Sequence, residues 1–512
     1  MNRETFLKSL GLTGLASTLS FKTLFTDSQK PKSQFTGGNN NIVEENQLYQ
    51  GPFPVDEVPG WEVVMTTTPS DRIIKNFGMG LVTYVIDEVG PPNVQSESLS
   101  TSIEKLAQIP FGQKLYMRVN WKDLQQVPGK LAPSRAWKLT FKMAEKYNKR
   151  ISFRVMLDNP DIPGSALPEF LKQKVPVVTL GKTNKVGLPG KVQTVPRYDS
   201  PEFQNAFKEF DDLLASKYNG HPHVEYMDTY MYGFWGEGHT WPFTKSAFPD
   251  SIIARETFNN MFQHQLDNWD KVPLTTNTQP DFNDVGNHSI LEKTLRTKNW
   301  LRSDTIFIEN QQIDELSNRP ANIGAALEVG MSDGKTKDVH LFNGQPKTAD
   351  EIYHVMDVNA NYYSLWNWHH ISADGVLRYY KKYPRAIDTI ARKIGYRIRP
   401  SWVWHFEKEH HNGLIFGFSN DGLAGVPGAV KLTLKTNRGK IVDSGYLDPG
   451  YPHPTGVRQA RMMLPKGMDW KGLRLYAQIN VKGQLYPIEW ASREKPNADG
   501  SLTITPTPYV NS

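Results

Sequence analysis

One stretch of this chain carries the residue types that acid–base chemistry needs: His223-Val224-Glu225-Tyr226-Met227-Asp228-Thr229-Tyr230-Met231-Tyr232-Gly233-Phe234-Trp235-Gly236-Glu237-Gly238-His239. An apolar strand runs into a glycine-flanked loop, and Glu237 sits there among aromatic rings. Aromatic surroundings exclude water and make a carboxyl harder to ionise, so the pattern predicts a raised pKa and a general-acid role for Glu237. Aromatic faces are also what sugar rings stack on. The bland alternative is a strand-end glutamate that pairs with an arginine.

A partner carboxylate is needed for most chemistry of this kind. Glu328 stands in Ala326-Leu327-Glu328-Val329-Gly330, where an ionised side chain is costly unless paired, so it is either functional or half of a structural ion pair. Glu309, in Ile306-Phe307-Ile308-Glu309-Asn310, is its rival.

Composition narrows the classes. The chain has 512 residues, 38% hydrophobic and 22% charged, enough for a large core and more than one domain. Its 13 Trp and 21 Tyr make it rich in stacking groups. The absence of cysteine excludes disulfides, thiolate zinc sites and Cys nucleophiles. A net charge of +6 is small for this length, and no Lys/Arg cluster is interleaved with aromatics, which argues against nucleic acid as a partner. The histidine pairs 221/223, 369/370 and 410/411 lack a His-x-x-x-His spacing, so neither a metal nor another cofactor is expected. No G-x-S-x-G elbow is present for serine chemistry.

The first 25 residues read as a signal peptide: Arg3 and Lys8 precede an apolar stretch, 10–21, that is too short to span a bilayer. The expected destination is the periplasm or the outside of a bacterial cell. Residues 26–59 are polar and rich in Gly, Asn and Ser, as in a linker. No other apolar run is long enough to cross a membrane.

Strands then alternate with helices. Strands are predicted at 76–85, 114–121, 150–158, within the run 223–239, and at 272–278, 304–310, 325–330 and 362–368. Helices are predicted at 98–109, 133–148, 200–218, 250–270, 288–298, 349–360 and 373–394. Eight strands alternating with helices across 60–396 predict an α/β fold, a (β/α)8 TIM barrel. A doubly wound sheet is disfavoured, because no glycine-rich turn follows the first strand. The link between the sixth and seventh strands leaves little room for a helix. Residues 159–198 form a long Pro/Gly-rich connection, a natural rim for a cleft. From 397 to 512 short alternating strands predict a C-terminal all-β sandwich.

In such barrels the functional side chains stand at the C-terminal strand ends. Read in order, those ends supply Arg118, Asn120 and Trp121; Arg154 and Asp158; Trp235, Glu237 and His239; Asn277; Glu309; Glu328; and Trp366 and Trp368. Carboxylates, amides and indoles on one rim suit a polyhydroxylated ligand, a poly- or oligosaccharide.

The passage Asp199…Leu213…Lys217-Tyr218-Asn219-Gly220-His221-Pro222-His223-Val224…Gly233-Phe234-Trp235-Gly236-Glu237 resembles bacterial β-galactosidase-like barrels of the clan A glycoside hydrolases, which carry a C-terminal β-sandwich. The resemblance implies a retaining glycosidase in which Glu237 is the acid/base and Glu328 the nucleophile. It further implies that Arg118 positions the nucleophile and that Trp366 or Trp368 forms the floor under the sugar. Many clan members have Asn before the acid/base; here Gly236 stands there. A double displacement requires carboxyls about 5–5.5 Å apart. Two other readings remain open: a non-catalytic carbohydrate-binding protein on a degenerate barrel, and a polysaccharide lyase working through Tyr230 and His239.

Overall fold

The structure, a computed structural model, describes residues 61–278, 288–303, 310–328, 352–365, 371–408 and 411–507. The expected leader (1–25) and the expected linker (26–59) therefore lie outside the described residues.

Eight parallel strands close into a barrel: β2 (Gly80–Ile86), β3 (Lys114–Asn120), β4 (Arg150–Met156), β7 (Val224–Asp228), β8 (Leu274–Asn277), β9 (Trp300–Ser303), β10 (Ala325–Leu327) and β11 (Tyr362–Leu365). They follow chain order around the ring, and β11 pairs with β2 to close it. β2 and β3 are buried along their whole length, as strands packed on both faces must be. Helix starts follow their caps. Ser200 accepts the Phe203 N–H ahead of the helix Pro201–Tyr218, and the Asp250 carboxylate accepts two N–H groups ahead of Ser251–Asn268.

Three differences from the sequence reading have physical causes. The sixth described strand is Trp300–Ser303, just ahead of the predicted 304–310, of which 304–309 lie outside the described residues. The apolar run Ile306–Ile308 outweighed a short strand carrying Arg302, whose charge is tolerated inside the barrel only because carboxylates meet it. With the strand moved back, a helix (Asn310–Ser317) fits before β10. The long final helix is two, Ala373–Lys382 and Pro384–Lys393, broken where Pro384 can donate no N–H. The 159–198 connection contains an antiparallel hairpin, β5 (Val177–Lys182) with β6 (Val192–Pro196).

The β-sandwich follows. β12 (Ile398–Lys408), β13 (His411–Asn420) and β16 (Val457–Leu464) form one sheet. β14 (Ala429–Lys435), β15 (Ile441–Tyr446), β17 (Arg474–Val481), β18 (Gln484–Pro487) and β19 (Leu502–Thr503) form the other. The first described strand, β1 (Trp61–Thr66), does not enter the barrel; it pairs antiparallel with β12 and completes a four-stranded sheet.

The β17–β18 turn meets the N-terminal end of the barrel. Lys482 Nζ donates to Trp269 O at 2.7 Å and to Asn299 Oδ1 at 2.9 Å, just ahead of β8 and β9. Tyr486 stacks on Phe77 with centroids 3.7 Å apart, and the Arg150 guanidinium lies 4.7 Å over the Tyr486 ring. The sandwich thus braces the end of the barrel opposite the strand C-termini. Among the described residues no helix is long and apolar enough to cross a membrane.

Lys482→Met removes the charge-assisted bonds that tie the two parts together. We expect a loss of about 1–3 kcal/mol of stability, read as a lower urea midpoint with the barrel's strand signature retained. An unchanged midpoint would show that stacking alone holds the junction.

Candidate active site

β3 and β4 run in register, so Arg118 lies directly beside Arg154. Two buried guanidiniums side by side require anions. Four carboxylates supply them: Glu88, two residues past β2; Asp228, at the end of β7; Glu237, in the loop beyond; and Glu328, immediately after β10. A third arginine, Arg302 on β9, completes the set.

The contacts are dense. Arg118 bonds Glu88 through Nη1 and Glu328 through Nη2, and the same Nη2 lies 3.6 Å from Glu237 Oε1. Arg154 Nη1 reaches Glu237 Oε1 at 2.6 Å, while its Nε is 3.1 Å from Asp228 Oδ2. Arg302 pairs with Glu328 and, at 3.1 Å, with Asp228. Tyr116 and Thr275 hydroxyls also donate to Asp228. Beneath them the Tyr84 and Tyr116 rings pack at 4.5 Å and take the Arg118 guanidinium on their faces. Glu328 is fully buried, and its Oε1 has no hydrogen-bond partner among the described residues.

The Glu237 loop is held by its backbone. Gly233 and His239 bridge, Phe234 N–H donates to His239 O at 2.8 Å, and Trp235 N–H donates to Asp158 O at 3.1 Å. Gly233, Trp235, Gly236 and Gly238 all adopt positive φ. At Gly236 (φ +74°) a Cβ would stand 3.0 Å from Val155 O, so the position disfavours the Asn that the resembled family carries there. An asparagine arrives by another route: Asn277 Nδ2 donates to Glu237 O at 3.3 Å. Trp235, strained at φ 54°, anchors its Nε1 on Asp161 at 2.6 Å. His239 Nδ1 accepts the Trp241 N–H at 3.2 Å, which leaves Nε2 as the N–H facing Glu237 Oε2 at 3.4 Å.

The electrostatics correct one expectation. Burial does push the Glu237 carboxyl upward. The His239 hydrogen bond and the charges of Arg154 and Arg118 outweigh that, and its pKa falls well below the usual carboxylate range. The aromatic neighbours were visible in the text, whereas the two arginines come from other strands. Asp228 is lowered for the same reason: Arg302 and Arg154 overcome its burial. Asp158 goes the other way. Burial raises it to about 7 against the pull of Lys191 and the Asn159 N–H, and its Oδ2 has no partner among the described residues.

Of the predicted residues, Arg118, Arg154, Glu237, His239, Asn277 and Glu328 come together. Trp235 flanks them, half-buried. Asn120, at the end of β3, accepts the Asn159 amide at 2.9 Å, and Asn159 in turn donates to Glu88 O. Trp121 is not at the site. It is wholly buried against Phe203 and Phe210, with Nε1 on Gln125. Glu309, Trp366 and Trp368 lie outside the described residues. Three residues were missed. Glu88 follows an apolar strand in Asp87-Glu88, the same signal that marked Glu328. Asp228 lies within the His223–His239 run itself. Arg302 was hidden by the misplaced sixth strand.

No protein-family model and no curated protein matches the chain. Among solved structures it is similar to endo-glycoceramidase II from Rhodococcus sp. in a lactosyl-enzyme intermediate: 10% identity, 78% of this chain and 100% of that one, TM-score 0.39. It is also similar to PbGH5A, a glycoside hydrolase family 5 enzyme from Prevotella bryantii B14, at 15% identity over 64% and 99%, TM-score 0.35. A third is the exo-beta-1,4-mannosidase Op5Man5 from Opitutaceae bacterium strain TAV5, at 11% over 61% and 60%, TM-score 0.37. At this distance such likeness says nothing of the site; the barrel is defined by the strand pairing itself.

Arg302→Met leaves Asp228 and Glu328 short of a countercharge, and a loss of about 3–5 kcal/mol is expected in urea unfolding. A separate test concerns Asp158. Its folded pKa lies above its ordinary 3.8, so the folded state binds the extra proton and stability falls as pH rises from about 4 to about 7. Asp158→Asn should flatten that decline; an unchanged pH slope would contradict it.

Proposed function

We propose that the chain hydrolyses glycosidic bonds of a poly- or oligosaccharide with retention, Glu328 attacking the anomeric carbon and Glu237 moving the proton. One observation carries the reading: both carboxyls approach the same Arg118 nitrogen. Sharing one guanidinium keeps them close, as a double displacement requires, rather than at the roughly 6.5–9.5 Å that accommodates a catalytic water.

Two features support it. Arg118 and Arg302 both grip Glu328 Oε2, which fixes the side chain and leaves Oε1 as the nucleophilic atom. As Glu237 gives up its proton, the described cluster passes from three carboxylates against three guanidiniums to four against three, and the negative charge that develops there favours the positive charge that develops at the anomeric carbon. In the first step protonated Glu237 gives its proton to the leaving oxygen as Glu328 attacks. In the second, ionised Glu237 takes a proton from water, which attacks the glycosyl–Glu328 ester and frees the sugar.

A second assignment of the proton donor is favoured by Asp158, the carboxyl that burial holds near pH 7. It keeps Glu328 as nucleophile and differs in its pH signature.

Glu328→Gln and Glu237→Gln should each lower kcat/KM on aryl glycosides by about 10³-fold or more with substrate binding retained. Proton NMR should show the product first in the substrate's anomeric form. Full activity in both variants would overturn the proposal. If Glu237 is the donor, only its small protonated fraction reacts, and kcat/KM should fall about tenfold per pH unit across the neutral range. A plateau that breaks near pH 7 would transfer the role to Asp158.

A further inference from the structure

The connection between β4 and the helix Pro201–Tyr218 has a charge pattern that the site chemistry does not use. From residue 170 to residue 198 it holds Lys172, Lys174, Lys182, Lys185, Lys191 and Arg197, and no acidic residue at all. Three of these cations are occupied. Lys172 pairs with Glu169, Arg197 pairs with Asp199, and Lys191 donates to the carbonyls of Ile162 and Gly164 at 2.8 and 3.2 Å. Lys174, Lys182 and Lys185 are exposed and belong to no ion pair among the described residues.

Their place in the fold gives the pattern meaning. Lys182 ends β5, Lys185 lies in the turn of the hairpin, and Lys174 lies just ahead of it. The hairpin is fastened to the loop that follows Glu237: Lys245 Nζ donates to Thr179 O at 2.7 Å, and the Phe243 ring lies against Gly181. That same loop presents Trp241, 42% exposed, with the Lys185 ammonium 6.0 Å from its ring centroid. A partly exposed indole with one ammonium over its ring, and two further exposed ammonium groups outside any described ion pair, therefore belong to the hairpin region and the loop it is fastened to, Trp241 standing two residues along the chain from His239 at the site.

We propose that this hairpin and Trp241 bind a glycan bearing carboxylate or sulfate groups, with the indole under a sugar ring and the lysines on its anions. The proposal rests on the carbohydrate reading above and adds the charge of the substrate. The arginines deeper in the site are already matched by carboxylates, so they do not compete for the ligand's anions. An indole discriminates a ring from a bare anion, and compact ammonium groups suit either oxyanion.

Binding measured without turnover separates this proposal from the hydrolase reading. In affinity gels, polygalacturonate or dextran sulfate should retard the protein, and neutral dextran should not. Retardation by one acidic polymer alone would identify the anion as carboxylate or as sulfate. A Lys174→Gln/Lys182→Gln/Lys185→Gln variant should bind at least tenfold more weakly, and so should Trp241→Ala. A charge-matched control, Lys440→Gln/Lys466→Gln/Lys471→Gln on the sandwich, should bind within twofold of the parent. No retardation by either acidic polymer, or equal loss in the control, overturns the proposal. Full binding by Trp241→Ala reduces the surface to a non-specific anion patch and overturns it as well.

Discussion

The burial of Arg118 is the constraint around which the upper half of the barrel is organised. A guanidinium removed from water has a desolvation penalty that only close, well-directed anions offset. Glu88, Glu237 and Glu328 provide them from three separate parts of the chain. Because β3 and β4 pair in register, Arg154 is brought alongside and needs its own anions, which Asp228 and Glu237 provide. Arg302 then balances Asp228 and Glu328 together. The vertical positions of β3, β4, β7 and β9 are thereby tied to one another by charge as well as by backbone pairing.

The opposite end of the barrel uses a simpler version of the same device. Glu225, fully buried, accepts from Lys114 Nζ, Tyr362 Oη and the Gly78 N–H, each at 2.8 Å. The sandwich caps that end through Lys482 and Tyr486. Rigidity below leaves the loops above to carry chemistry, the usual division of labour in barrels of this kind.

Much of the architecture could be read from the text, because parallel strands announce themselves as apolar runs and helices by their caps. Seven of the eight barrel strands overlap their predicted spans; the sixth escaped because Trp300-Leu301-Arg302-Ser303 is short and charged. Glu237, Glu328, Arg118 and Arg154 were found by type and strand-end position alone. What the text withheld was pairing. The ionisation of Glu237 depends on arginines more than eighty positions away, and aromatic neighbours gave the opposite sign. Trp121 looked like a rim residue and proves to be core, since a strand-end indole faces either way with the same local sequence.

The sheet that unites β1 with β12 has a consequence for how the molecule comes into being. Thr67 Oγ1, one residue past β1, donates to Pro400 O across 333 positions, and Thr507 N–H donates to Val64 O within β1. During translation, β1 leaves the ribosome long before either partner exists and must wait, unpaired, while the entire barrel is synthesised. An orphan strand of that kind is open to pairing with other nascent chains. The chain from β12 onward therefore does double duty, sealing the first described strand as it builds its own sheets.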